Sequence, residues 1–190
     1  MSKNNELIPE LRFPEFENDE IWAENELNDF CFNISSGKDK IQNDGAFDLY
    51  GSTGIIGKTE NADYDGDFIL VARVGANAGS LNRANGQFCV TDNTLVVNLK
   101  QPKNIEFIFY SLSKIGLNKL VFGSGQPLVT GKQLKELNIL TPVNPQEQQK
   151  IASCLSAVDE LITTQQDKIE QLQQHKRGMM QGLFPKINDA

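Results

Sequence analysis

The sequence predicts an α+β protein: a turn-rich mixed or antiparallel sheet domain with packed helices, followed by one long C-terminal coiled-coil helix. Three observations predict it. Between Phe30 and Leu99 short runs rich in β-branched and aromatic residues alternate with glycine-bearing turns. After Pro102 the apolar period changes to that of a helix. From Asn144 to Pro185 an apolar seam repeats at heptad spacing.

The chain has 190 residues, which at about 100–200 residues per domain leaves room for one globular domain and an accessory element. No apolar run approaches the roughly 18 residues of a membrane span. Met1-Ser2-Lys3-Asn4-Asn5-Glu6 has no apolar stretch behind it, so a cytoplasmic location is expected. Nine acids against Lys3 and Arg12 place the entire formal charge of −7 in residues 1–29, leaving residues 30–190 neutral. The bulk charge therefore neither argues for nucleic acid nor excludes a locally basic face.

Residues 1–21 mix acids with Pro9 and Pro14 and show no period, which predicts an extended acidic arm. The globular domain is expected over residues 22–143. Its strands are Phe47–Tyr50, Phe68–Val74, Phe88–Thr91 and Thr94–Leu99, separated by turns such as Asn43-Asp44-Gly45, Asp65-Gly66 and Asn85-Gly86. Asn104 is placed to cap a helix whose inner face is Ile105, Ile108, Phe109, Leu112 and Ile115, ending at Gly116. Thr130-Gly131-Lys132-Gln133 has capping-box spacing for a short helix ending near Leu137, and Leu137–Leu140 reads as a last strand.

Asn144-Pro145-Gln146-Glu147 then supplies an N-cap, a proline at the first helical position and a capping-box acid. The long helix is assigned to residues 144–185, with 186–190 as a tail. Its seam is Ile151, Leu155, Val158, Ile162, Gln165, Ile169, Leu172, Lys176, Met179 and Leu183. At 1.5 Å per residue it would be about 58 Å long, more than a domain of this size covers, so most of the seam needs a partner helix. Antiparallel pairing centred near Asp167 sets the acidic first half against His175, Lys176 and Arg177, whereas parallel pairing stacks like charges.

Catalytic motifs fail on spacing. Gly51-Ser52-Thr53-Gly54-Ile55-Ile56-Gly57-Lys58-Thr59 ends like a phosphate-binding loop, but its first glycine is one position too early and no helix follows. Gly75-Ala76-Asn77-Ala78-Gly79 is too short for a dinucleotide fingerprint. His175 is the only histidine and has no catalytic partner in its polar run. Cys31, Cys89 and Cys154 are odd in number and widely spaced, which predicts free core thiols rather than disulfides or a zinc site. No catalysis and no metal is expected of the chain.

Loops on a sheet can instead present polar side chains to a duplex. The candidates are Lys38, Lys40, Ser52, Thr53, Lys58, Arg73, Asn77, Asn82, Arg83, Asn85, Gln126, Thr130 and Lys132. Lysine and arginine suit phosphates or guanine edges, and asparagine and glutamine can bond adenine.

Six segments in order resemble the specificity (S) subunits of type I restriction–modification systems. They are Pro9-Glu10-Leu11-Arg12-Phe13-Pro14-Glu15-Phe16 with Trp22, Val71 to Gly79, Thr91-Asp92-Asn93-Thr94, Gly125-Gln126-Pro127, Pro142 to Ala152, and His175 to Pro185. The resemblance implies that residues 22–143 are a DNA target-recognition domain and residues 144–185 a spacer and dimerisation helix. It further implies a non-catalytic subunit that binds double-stranded DNA beside modification subunits, with a restriction subunit as a further partner. The chain would need no cofactor itself, since S-adenosylmethionine, ATP and magnesium would be bound by those partners. Whereas such subunits carry two recognition domains, this sequence matches one domain and one helix. A homodimer reading a bipartite inverted repeat is therefore expected. The reading from a different class is a protein-interaction adaptor that docks a partner through the long helix.

Overall fold

The computed structural model describes residues 7–40, 45–121 and 127–184. The domain is organised around one strand, Phe68–Ala72, whose five residues are all buried. An unbroken apolar run such as Phe-Ile-Leu-Val-Ala belongs in a strand covered on both faces. The elements in chain order are β1 (Ala23–Glu26), α1 (Leu27–Phe30), β2 (Cys31–Ser36), β3 (Phe47–Gly51), β4 (Gly54–Thr59), β5 (Tyr64–Asp65), β6 (Phe68–Ala72), β7 (Leu81–Ala84), β8 (Gln87–Val90) and β9 (Thr94–Leu99). After these come α2 (Ile105–Ile115), α3 (Gly131–Lys135), β10 (Asn138–Thr141) and α4 (Pro145–Leu183).

Two four-stranded sheets enclose the core. One, in the order β2-β9-β6-β7, is antiparallel throughout; the other, β4-β3-β8-β5, is mixed because β3 and β8 run parallel. Between them Phe68, Leu70, Ala84, Phe88, Val90 and Val96 form one apolar cluster. Tyr64 stacks on Phe88 at 5.4 Å, and Phe68 meets Phe88 edge-on at 5.6 Å. By strand alternation Ile69 and Val71 leave the opposite face of β6, where α2 packs on β6 and α3 on β2. The expected mixed α+β domain with a long C-terminal helix is the observed architecture.

Local differences from the sequence reading have physical causes. The inner face of α2 is Phe107, Ile108 and Leu112; Phe109 is only partly buried and carries the Arg83 guanidinium over its ring at 4.5 Å. Asn104 makes no side-chain cap, since a short 3-10 turn over Pro102–Asn104 leads into the helix. The Thr130 capping box forms, with Gln133 N–H donating to Thr130 Oγ1 and Thr130 N–H donating to Gln133 Oε1, but α3 ends at Lys135. Strand β1 carries the sequence Ala-Glu-Asn-Glu, without apolar alternation, and is held by pairing with β10. Cys31 and Cys89 are buried as expected; Cys154 is exposed on α4.

The expected extended arm is packed in its described part. Phe16 is buried in a short 3-10 turn over Pro14–Phe16. Arg12 grips Glu147 in two parallel bonds, Nε to Oε1 at 2.8 Å and Nη2 to Oε2 at 2.7 Å, with side chains 8% and 1% exposed. Trp22 Nε1 donates to the same carboxylate at 3.3 Å and its ring meets Phe107 edge-on. Nη1 and Nη2 also donate to the carbonyls of Asp19 and Glu20. Glu147, expected as a capping-box acid, is thus the counter-ion of Arg12. Asn144 does cap α4, its Oδ1 accepting from Gln146 N–H at 2.9 Å.

The chain divides into two units at Ile151, so the first turn of α4 belongs to the sheet domain. In the second unit every described residue from Ser153 onward is exposed except Ser156. The seam positions Leu155, Val158, Ile162, Ile169, Leu172, Met179 and Leu183 are all 40–73% exposed. Among the described residues no helix is long and apolar enough to cross a membrane.

Removing one partner of a buried, hydrogen-bonded ion pair strands the other charge, which costs about 3–5 kcal/mol. Arg12→Ala or Glu147→Ala should therefore lower unfolding stability by about that amount in denaturant titration, and an unchanged midpoint would show that the clamp is not needed. Burial raises the Cys31 thiol to about 11, so the fold favours its neutral form. That contribution is full below the unfolded thiol pKa of about 8.5, fades as pH rises toward about 11, and keeps the thiol unreactive at neutral pH. Iodoacetamide followed by mass spectrometry should label Cys154 first and reach Cys31 and Cys89 only on unfolding.

Candidate nucleic-acid interface

Strand register gathers the candidate loops at one end of the two sheets. Ala72 lies opposite Thr94 and Ser36 opposite Leu95, so the segments after β6 and β2 emerge beside the β8–β9 turn. Tyr50 pairs in parallel with Val90, which brings the β3–β4 turn to the same end. Lys38, Lys40, Ser52, Thr53, Arg73 and Asn77 all belong to these segments.

Backbone hydrogen bonds make the loops one connected surface. Arg73 N–H donates to Asn93 O at 2.8 Å and its carbonyl accepts from Val129 N–H at 2.8 Å. Lys38 and Asp39 N–H both donate to Val90 O, Gly37 N–H donates to Thr94 O, and Thr91 N–H donates to Tyr50 O. A β-carbon on Gly37 would stand 1.9 Å from Val90 O, so only glycine permits this approach. Gly79 closes the 75–79 turn at φ +90°, donating to Ala72 O and packed against Asn118. Such a loop is fixed by the scaffold rather than by its own side chains.

The side chains on this surface differ in availability. Lys38, Lys40, Thr53 and Asn77 are exposed, and Ser52 and Arg73 are half-buried. Arg73 Nη1 donates to the Asp92 carbonyl at 3.4 Å, a long bond that leaves the rest of its fork free of that contact. Thr130 lies at this end too, but its hydroxyl serves the cap of α3. Lys132 is exposed and pairs with Glu136 at 3.7 Å. Three candidates stand on strands rather than loops: Lys58 on β4 is bonded to Asp48 at 2.6 Å, Arg83 on β7 is paired with Glu106, and Asn82, also on β7, is half-buried. Asn85 donates to Asp67. Gln126 lies outside the described residues.

Asp39, Asp63 and Cys89 bring potential ligand atoms within 4.8 Å of one another. The buried Cys89 thiol donates to Asn61 O at 2.9 Å, and burial raises its pKa, which favours the neutral form over the thiolate a metal requires. No metal role is assigned to the group. What the sequence did not reveal is the anchoring at the other end. Asp29, Phe30, Leu99, Lys100, Gln101, Asn104, Pro145 and Gln148 line one hollow, so α4 starts at the far end of β2 and β9 from the loops. Six residues of β9 span about 20 Å.

A family model of the type I restriction modification DNA specificity domain matches residues 19–174. The chain is 32% identical over 118 residues to the specificity subunit of the Escherichia coli type I restriction enzyme EcoprrI, covering 62% of this chain and 29% of that protein. It is 38% identical over 124 residues to the Methanocaldococcus jannaschii MjaVIII specificity subunit, covering 62% of this chain and 28% of that one. The S subunit structure from M. genitalium shares the fold with a TM-score of 0.71 at 23% identity, over 86% of this chain and 45% of that chain. The chain thus spans less than half the length of each of these proteins. With most of its residues inside the matched domain, it belongs to the type I restriction–modification DNA specificity family.

Proposed function

We propose that the chain reads a DNA sequence for a type I restriction–modification complex, without catalysing a reaction itself. The observation that carries this reading is the gathering of Lys38, Lys40, Ser52, Thr53, Arg73 and Asn77 on one backbone-bonded surface, in a chain whose relatives are named specificity subunits. The cations position the duplex through its phosphates, while the hydroxyl and amide groups face base edges. Modification subunits, and in the full assembly a restriction subunit, supply S-adenosylmethionine, ATP and magnesium. The chain needs no cofactor of its own.

The exposed seam of α4 is the seat of a second copy of this chain. Antiparallel pairing about Asp167 sets Leu155 against Met179, Ile162 against Leu172 and Gln165 against Ile169, so the seam closes on itself. Two domains related by that two-fold axis read identical half-sites in inverted orientation. The paired helices act as a spacer that leaves an unread gap of roughly one turn of DNA, about 34 Å.

A gel shift with duplexes of varied sequence should show binding that weakens with salt, with a log–log slope near −3 per domain if about three phosphates are neutralised. Arg73→Ala should reduce that slope by about one, whereas a protein-docking adaptor would show no such slope. Methylome sequencing of cells carrying the chain and its modification subunit should return an interrupted palindrome, and an uninterrupted or asymmetric motif would refute the symmetric dimer. Replacing Leu155 and Ile162 together with aspartate should give monomers in light scattering while the sheet domain keeps its near-ultraviolet dichroism. A wild-type chain that is already monomeric at tens of micromolar, a working concentration on the scale of moderate affinity, would remove the seam from this reading.

A further inference from the structure

Strand alternation fails on β4. Successive side chains leave opposite faces of a regular strand, yet the adjacent Ile55 and Ile56 are both exposed, 56% and 38%. The cause is a bulge: Leu49 pairs with Gly57 but Tyr50 pairs with Ile55, so Ile56 is the extra residue. Ile56 lies over Gly51, where a β-carbon would come within 2.7 Å of its Cδ1. Ile55 is the more exposed of the two. β4 is an edge strand, and exposed apolar edges invite aggregation unless they serve a contact. Bulges commonly re-aim a side chain beside a functional site.

The surroundings identify the contact. Ile55 follows the Ser52-Thr53 turn, at the end of the sheets that carries Lys38, Lys40 and Arg73. Ile55 pairs with Tyr50, Tyr50 with Val90, and Asp39 bridges the adjoining Thr91. Three strand spacings, about 14 Å, therefore separate Ile55 from the lysine-bearing segment, close to the roughly 12 Å width of the DNA major groove. A β-carbon on Gly54, the residue before Ile55, would lie 4.0 Å from Asn82 Oδ1, which brings the β7 amide to the start of β4.

We infer that Ile55 and Asn82 together read an A·T pair in the major groove, Ile55 against the thymine 5-methyl group and the Asn82 amide against adenine N6 and N7. In that groove an A·T pair presents a methyl group and a donor–acceptor couple together, whereas a G·C pair has no methyl. The inference rests on the DNA-reading role proposed above and adds which base pair this part of the surface chooses.

The full chain, with its modification subunits, would be used to select duplexes from a random pool. Each thymine of the selected half-site is then replaced singly by deoxyuridine, which removes only the 5-methyl group. One such replacement should weaken binding about fourfold, the worth of one buried methyl group. Ile55→Ser should weaken the thymine duplex by a similar factor and lose sensitivity to that replacement, with an unchanged melting temperature. Asn82→Ala should relax the choice at the same pair. Neutral deoxyuridine at every position, retained discrimination by Ile55→Ser, or a half-site of G·C pairs alone would each overturn the inference while leaving DNA reading intact. Failure to select any duplex would instead remove the DNA-reading role and this inference with it.

Discussion

The buried pairing of Arg12 with Glu147 is the constraint on which the arrangement depends. It joins a residue near the start of the chain to the first turn of α4, and Trp22 completes the shell from the strand side. A carboxylate that is 1% exposed is tolerable only with its charge and lone pairs answered, and here two guanidinium N–H groups and an indole N–H answer them. The acid-rich opening segment therefore holds the helix origin in place, although its composition alone suggests loose chain.

From that anchor the sheet domain acquires two ends with different tasks. One end fastens the helix; the other, about 20 Å along β9, carries loops tied to each other through their backbones. Because the ties at Arg73, Gly37 and Thr91 are main-chain bonds, side chains on the loops can vary without dismantling them. For the DNA-reading surface proposed above, this lets the choice of ligand change while the scaffold stays constant.

The legible parts of the sequence were those where one local rule dominates. The uninterrupted run Phe68–Ala72, the heptad seam and the Thr130 capping box each produced the element they implied. β1 was not legible, because Ala-Glu-Asn-Glu has no strand pattern and takes its conformation from β10. Arg83 and Lys58 read as free cations since sequence gives charge but not the neighbouring Glu106 and Asp48. The convergence of the loops was hidden for the same reason: it is a property of register, with Ala72 opposite Thr94 and Tyr50 beside Val90. Ile55 stood in the sequence only inside a failed phosphate-binding-loop motif, and its exposure follows from the bulge at Ile56, which local sequence does not show.

The acids of residues 10–29 stand around the helix origin, where Glu15 pairs with Lys150, Asp19 with Asn144 and Asp29 borders Lys100. Lys38, Lys40 and Arg73 stand at the other end. Within the sheet domain residues 10–29 hold eight acids against Arg12, and the loop end sets Lys38, Lys40 and Arg73 against Asp39 and Asp92, so charge is graded along the strands as a dipole. Near a polyanion such a dipole feels a torque that turns the loops inward and the helix origin outward before any contact forms. Charge that gives no net attraction at long range can in this way still select the orientation of approach.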